Sequence, residues 1–183
     1  MSTELFSQIT SVLPNAKIVY GDWAAWLREC YVQANYSPDP STKNGAVLLD
    51  RRHQVIAATY NRFPRGIKNN SERWEDRKIK YGLVVHAEEG TILSAAADGI
   101  CTLGSTLVCP FYACQECAKA IITGGVIKVV GHAQLMAKGL QHPNWVDTIV
   151  KAFEMLAEAE VECLLYDGLV GSKAYLNGEV FDI

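Results

Sequence analysis

Two short stretches carry the residue types best suited to chemistry. His86-Ala87-Glu88 sets an imidazole two residues before a carboxylate, and Cys114-Gln115-Glu116-Cys117 sets two thiols one helical turn apart. Together they offer three ligands of the kind zinc accepts, with one acid left over. A structural zinc takes four protein ligands, whereas a catalytic one keeps a position open for water, so this set is one ligand short of a closed site. Alone, each stretch is ambiguous. A single histidine reads as a satisfied core residue, and a Cys-x-x-Cys pair reads equally as buried thiols, a redox pair or a zinc hook. Cys109 and His132 lie close by, but at no matching spacing, and read as a core thiol and a loop histidine. In combination, His-x-Glu followed by Cys-x-x-Cys, each opening a helix after a strand, points to catalytic Zn2+ on His86, Cys114 and Cys117. Glu88 is then the free acid beside it. Unpaired N–H groups at two helix starts would add positive potential that favours thiolate.

The elements that must position these stretches follow from apolar spacing. A helical pattern covers residues 5–13 and ends near Pro14; Asp22 can cap a second helix bearing Trp23, Trp26, Leu27, Cys30 and Tyr31, which Ser37-Pro38-Asp39-Pro40 stops. Residues 45–49 and 55–60 read as a strand hairpin across the polar turn Asp50-Arg51-Arg52-His53. A charged connection from 61 to 80 holds a helical turn or two near 71–77 and is anchored by Phe63, Trp74 and Tyr81. Helices are predicted from Ala87 to a Gly99 stop, from the cysteine pair to Gly124-Gly125, and over 144–158. Strands are predicted at 106–109, 126–130 and 161–165, and the tail to Ile183 is left without an element. This order gives an α/β fold, a three-layer α/β/α sandwich with a mixed sheet of about five strands.

A chain of 183 residues, 49% hydrophobic, can bury one sizeable core, so one domain over 1–183 is expected, with the motifs confined to about 22–166. The formal charge of −3 provides no basic footprint for a nucleic-acid polymer and favours a small-molecule partner. Neither a membrane-length apolar run nor a signal pattern is found, which points to the cytoplasm. The six cysteines read as one metal pair plus buried thiols rather than a disulfide framework.

Four separated motifs, in this order, resemble the deoxycytidylate (dCMP) deaminase family of the cytidine deaminase superfamily. They are Ser37-Pro38-Asp39-Pro40-Ser41-Thr42-Lys43-Asn44-Gly45-Ala46, Tyr60-Asn61-Arg62-Phe63-Pro64-Arg65-Gly66, His86-Ala87-Glu88 and Cys114-Gln115-Glu116-Cys117-Ala118-Lys119. The resemblance covers about residues 22–131. It implies a cytidine-deaminase fold, hydrolytic removal of the 4-amino group of dCMP, zinc on His86, Cys114 and Cys117, proton transfer by Glu88, and a homo-oligomer. It further implies a substrate contact at Asn61 and the Ala87 backbone facing the pyrimidine carbonyl.

Several positions depart from the pattern. Asn44 stands for an apolar residue, Gly90 for an asparagine, Thr59 and Arg62 for glycines, and Ala113 for a proline. Asn44 and Gly90 fall near the base pocket, with Asn44 a candidate substrate contact, which keeps a nucleoside, a modified cytosine nucleotide or guanine open as substrates. Arg65, with Arg62 and Lys68, is the candidate for meeting a 5′-phosphate, against the alternative of a solvated charged loop. From other classes, a catalytically silent zinc module leaves Glu88 unexplained, and a thiol–disulfide enzyme leaves both His86 and Glu88 unexplained.

Overall fold

Strands that are apolar on successive residues must be covered on both faces, and the five residues of β2 (Gly45–Leu49) are all buried. The computed structural model describes residues 3–183, apart from the side chains of residues 3–6 and 8. The elements preceding β2 are α1 (Thr3–Val12), β1 (Lys17–Val19) and α2 (Trp23–Ala34). Those following it are β3 (Val55–Tyr60), α3 (Ser71–Glu75), α4 (Arg77–Leu83), α5 (Ala87–Ala97), β4 (Thr106–Val108) and α6 (Gln115–Thr123). The remainder is β5 (Lys128–His132), α7 (Ala133–Leu140), α8 (Pro143–Glu158), β6 (Glu162–Tyr166), β7 (Lys173–Leu176) and β8 (Glu179–Asp182).

The main sheet runs β1-β6-β5-β4-β2-β3, parallel from β1 to β4 and antiparallel at β2 and β3. Alternation along the strands splits the core in two. Ala46, Leu48, Leu107, Val129 and Leu165 join Ile92, Ile121, Phe153 and Leu156 of the α5, α6 and α8 layer. Val47, Leu49, Val108, Val130 and Leu164 join Leu27, Cys30 and Tyr31 of α2. The result is the expected three-layer α/β/α arrangement around a mixed sheet. Gly45 lets α2 approach β2 closely, since a Cβ there would stand 2.1 Å from the Cys30 carbonyl oxygen.

The sheet has six strands rather than five, because β1 pairs with β6. At three residues it is too short to show a period. α7 lies where no element was predicted, although Leu135, Met136, Ala137 and Leu140 form its buried stripe. The tail forms the β7–β8 hairpin, turned by Asn177 and Gly178 at φ 54° and 82°, positive φ being what a two-residue turn of this kind requires. Asp22 sits at the start of α2 without a side-chain cap bond. Tyr81 is half exposed, so only the stacked Phe63 and Trp74, ring centroids 4.0 Å apart, anchor the charged connection. That connection leaves and rejoins the core at one place, where Arg62 and Val85 exchange backbone hydrogen bonds of 3.1 and 2.9 Å. The bridge seats His86 at the next position.

Candidate active site

His86 is the N-cap of α5 and Cys114 the N-cap of α6, so two adjacent helix starts face one another. Two residues before Cys114, Tyr112 holds φ 62°, costly for a residue with a Cβ. It is kept there by stacking on Phe153 at 4.4 Å and by Gly131, where a Cβ would come 2.4 Å from the ring. The kink turns the chain so that both sulfurs meet the imidazole. His86 Nδ1 lies 3.4 Å from Cys114 Sγ and 3.5 Å from Cys117 Sγ, and the sulfurs are 3.6 Å apart. Tetrahedral zinc, with bonds of ~2.3 Å to sulfur and ~2.05 Å to nitrogen, separates two sulfurs by ~3.8 Å and sulfur from nitrogen by ~3.6 Å. The donor set therefore fits zinc in kind and in spacing.

The electrostatics suit a cation. The Cys117 contact draws the Cys114 thiol down to about 4 against the opposing effect of burial, with His86 helping. Burial disfavours charge on His86, but the Cys114 bond and nearby Glu88 and Glu89 outweigh it and raise the imidazole to about 9. The sulfurs also accept backbone N–H bonds at the helix starts, Cys114 from Cys117 and Cys117 from Glu89. Glu88, 3% exposed, is pushed above the usual carboxylate range by burial, with His86 pulling the other way. It is thus a buried acid beside the metal-type cluster but outside the ligand set.

All of this opens on a cavity of about 600 Å³, whose wall includes His86, Ala87, Glu88, Cys114, Asn44 and Asn61. Asn61 is braced on every side. Its Nδ2 donates to Asp39 Oδ2 at 3.2 Å and to the Thr42 carbonyl at 2.9 Å, while its Oδ1 accepts from the Asn44 N–H at 2.9 Å. Both Nδ2 hydrogens are therefore engaged, leaving one Oδ1 lone pair for anything in the cavity. Asp39 is in turn held by Lys80, whose Nζ is 2.7 Å from Oδ1 with both side chains buried. Breaking such a pair by removing one partner costs about 3–5 kcal/mol.

Arg65, Arg62 and Lys68 are not part of the wall. Arg65 is exposed on the turn closed by the Ile67 N–H to the Pro64 carbonyl, and Arg62 lies over the Tyr60 ring and donates to Ser94 Oγ. The Arg62–Val85 bridge fixes the start of this turn at the foot of the connection. The exposed cation on the wall is Arg77, which donates to Tyr81 Oη. Sequence reasoning also missed His142, Trp145 and Ile149 of the α8 start and Leu176 and Asn177 of the hairpin. For the hairpin a signal existed, Asn-Gly between two alternating runs; for the others only packing reveals the role. His132 is not a loop histidine: it ends β5, fully buried. Gly90 is not part of the wall; a Cβ there would lie 3.3 Å from Thr59 Oγ1, which donates to the Ala87 carbonyl.

Comparison with known proteins agrees with this geometry. Residues 22–133 match the cytidine and deoxycytidylate deaminase zinc-binding region. An uncharacterized deaminase encoded in the luxG 3′ region of Aliivibrio fischeri is 34% identical over 128 residues, 70% of this chain and 82% of its own. A probable deoxycytidylate deaminase of Drosophila melanogaster is 33% identical over 109 residues, 54% of this chain. The match spans about half (53%) of that relative's length. Among solved structures, the dCMP deaminase of cyanophage S-TIM5 superposes with a TM-score of 0.59 at 21% identity, covering 78% of this chain and 94% of the phage protein. With the profile spanning well over half of the chain and both helix starts lying inside it, the chain belongs to the cytidine and deoxycytidylate deaminase family.

Proposed function

We propose that the protein is a zinc-dependent hydrolytic deaminase that converts dCMP to dUMP and ammonia. The observation that carries the reading is Glu88, a buried carboxyl on the wall of the cavity that also presents His86 and Cys114, and outside the ligand set. A structural zinc site gives such an acid no task. Held by His86, Cys114 and Cys117, zinc would supply the Lewis acidity that lets water ionise near neutral pH.

The chain's own groups supply the rest. Glu88 takes a proton from the attacking water and delivers it to the ring nitrogen next to C4, which makes C4 more electrophilic. Oxygen bonds to C4 as the C4 double bond to the ring nitrogen opens. Glu88 then takes the second proton from the new C4 hydroxyl and gives it to the amino nitrogen, so the C4–N bond breaks, ammonia leaves and the C4 carbonyl of dUMP forms. The Ala87 N–H, the first amide of α5, is offered to the pyrimidine carbonyl. Asn61 presents its remaining Oδ1 lone pair, and Asp39 and Lys80 keep it in place. A cavity of about 600 Å³ has room for a nucleotide rather than a base alone. Relatives named deoxycytidylate deaminase support dCMP as the first choice. The reading extends to the cytoplasm, where nucleotide pools are drawn on, and to a homo-oligomer. Among the described residues no helix is long and apolar enough to cross a membrane.

The test is an ammonia-release screen of the zinc-loaded protein across cytosine and guanine, their nucleosides and their nucleotides. Turnover of dCMP above deoxycytidine is expected. Ammonia from guanine alone would keep the chemistry and replace the substrate, and none from any member would overturn the reading.

A further inference from the structure

Asn44 stands directly before β2, and its main chain is clamped from both sides. Its N–H donates to Asn61 Oδ1 at 2.9 Å, and its carbonyl accepts the Asn61 N–H at 3.0 Å. The main chain is thereby fixed, and the side-chain amide faces two groups, one of them the Glu88 carboxyl of the cavity wall. Nδ2 lies 3.2 Å from Cys109 Sγ and 3.5 Å from Glu88 Oε2. The fully buried Cys109 thiol is also a close neighbour of the Glu88 carboxyl. Asn44, Cys109 and Glu88 thus form one buried cluster in which the amide donates to the Cys109 sulfur and to the acid.

The other end of the amide is as telling. Asn44 Oδ1 is sealed from solvent and has no hydrogen-bond partner among the described residues. Turning the amide over would not relieve it, because the oxygen would then face the Glu88 carboxylate. A buried acceptor without a partner opposes folding, and a valine would remove both the orphaned oxygen and the donor. With both N–H groups engaged and the oxygen sealed, the side chain has nothing to offer a substrate. Its one useful act is to direct donors at Glu88.

We infer that Asn44, backed by Cys109, is a positioning residue that fixes the Glu88 carboxyl toward the cavity, and that it does not contact the substrate. This revises the expectation that Asn44 binds substrate, and its kinetic arm rests on the deaminase reading.

The test compares Asn44→Val, which removes the amide, with Asn44→Thr, which has the shape of valine and restores a hydroxyl donor. For Asn44→Val the melting temperature should hold or rise and zinc content should stay level. Its kcat should fall about tenfold with KM nearly constant, in line with losing one hydrogen bond to a charged group. Asn44→Thr should recover part of the kcat. An unchanged kcat, a rise in KM at constant kcat, or a joint fall in melting temperature, zinc and kcat would each overturn the inference. A second arm needs no turnover: a cycle of Asn44→Val with Glu88→Gln, read by unfolding of the zinc-loaded protein. If Asn44 acts on Glu88, the effect of Asn44→Val on melting must differ between the wild-type background and the Glu88→Gln background. Strict additivity would overturn the inference even if no substrate had been found, and coupling would sustain it independently of the proposed reaction.

Discussion

At the scale of single residues, the proposed proton transfer and phosphate recognition fall on different side chains. Glu88→Gln keeps the shape of the side chain and leaves His86, Cys114 and Cys117 untouched, so zinc by elemental analysis and the melting temperature should be near normal. Turnover should fall by about 10²–10⁴-fold, the usual contribution of a general acid–base. Near-normal turnover in the zinc-loaded variant would assign the protons to another group. For the phosphate, the cavity wall carries Arg77, whereas Arg65 is exposed outside it. Arg77→Glu should therefore depress kcat/KM for dCMP by about tenfold relative to deoxycytidine, the lower end for a charge-assisted bond at an exposed side chain. Arg65→Glu should change both substrates alike, and the reverse pattern would move the phosphate to the Pro64–Ile67 turn. The metal ligands and Glu88 were legible in the sequence because each lies in a stretch of four residues or fewer whose spacing is already chemical. Arg77 was not, since in a run of charges only the folded arrangement distinguishes the one that lines the cavity.

At the scale of elements, the junction of β5 and α7 rests on a neutral histidine. His132 Nδ1 lies 2.8 Å from Tyr31 Oη and Nε2 lies 3.2 Å from the Gly168 carbonyl. A carbonyl can only accept, so Nε2 carries the hydrogen and Nδ1 accepts from the tyrosine. Burial lowers the pKa of His132 below its ordinary value, against the pull of the Gly168 carbonyl and Asp167. The unfolded chain therefore takes up the proton first as pH falls. Stability from this group is complete above about pH 6.5 and declines below it by at most about 1.36 kcal/mol per pH unit, until the folded histidine also protonates. Urea unfolding at pH 7.5 and 5.5 should show the loss in the wild type and a smaller one in His132→Asn. An equal loss in both would place the acid sensitivity elsewhere. Five of the six main-sheet strands were readable from apolar runs, and β1 and α7 were not. β1 offers three residues, and α7 opens without a side-chain cap on a stretch interrupted by Gly139.

At the scale of the whole molecule, the cavity is assembled from segments far apart in sequence. The Asp39–Thr42 loop, α3, α4, the α5 and α6 starts, α8 and the hairpin turn all contribute. The hairpin is tied down by the Gly178 N–H to the Ser41 carbonyl at 2.7 Å and by Tyr175 Oη to the Pro40 carbonyl at 3.1 Å. Gly178 holds φ 82°, which a β-branched residue resists. Gly178→Val should loosen the hairpin, raise KM for the nucleotide several-fold and leave zinc content unchanged, as steady-state kinetics and elemental analysis would show. An unaltered KM would mean the turn is scenery rather than wall.

The hairpin and α8 lie beyond residue 133, past the stretch that matches the family, yet they supply Leu176, Asn177, His142 and Trp145 to the same cavity. On the proposed function, the metal ligands and Glu88 lie on one length of chain, and part of the wall that a substrate would meet lies on the next. Each can drift at its own pace, and a tail borrowed from a relative could retune what enters without disturbing what happens to it.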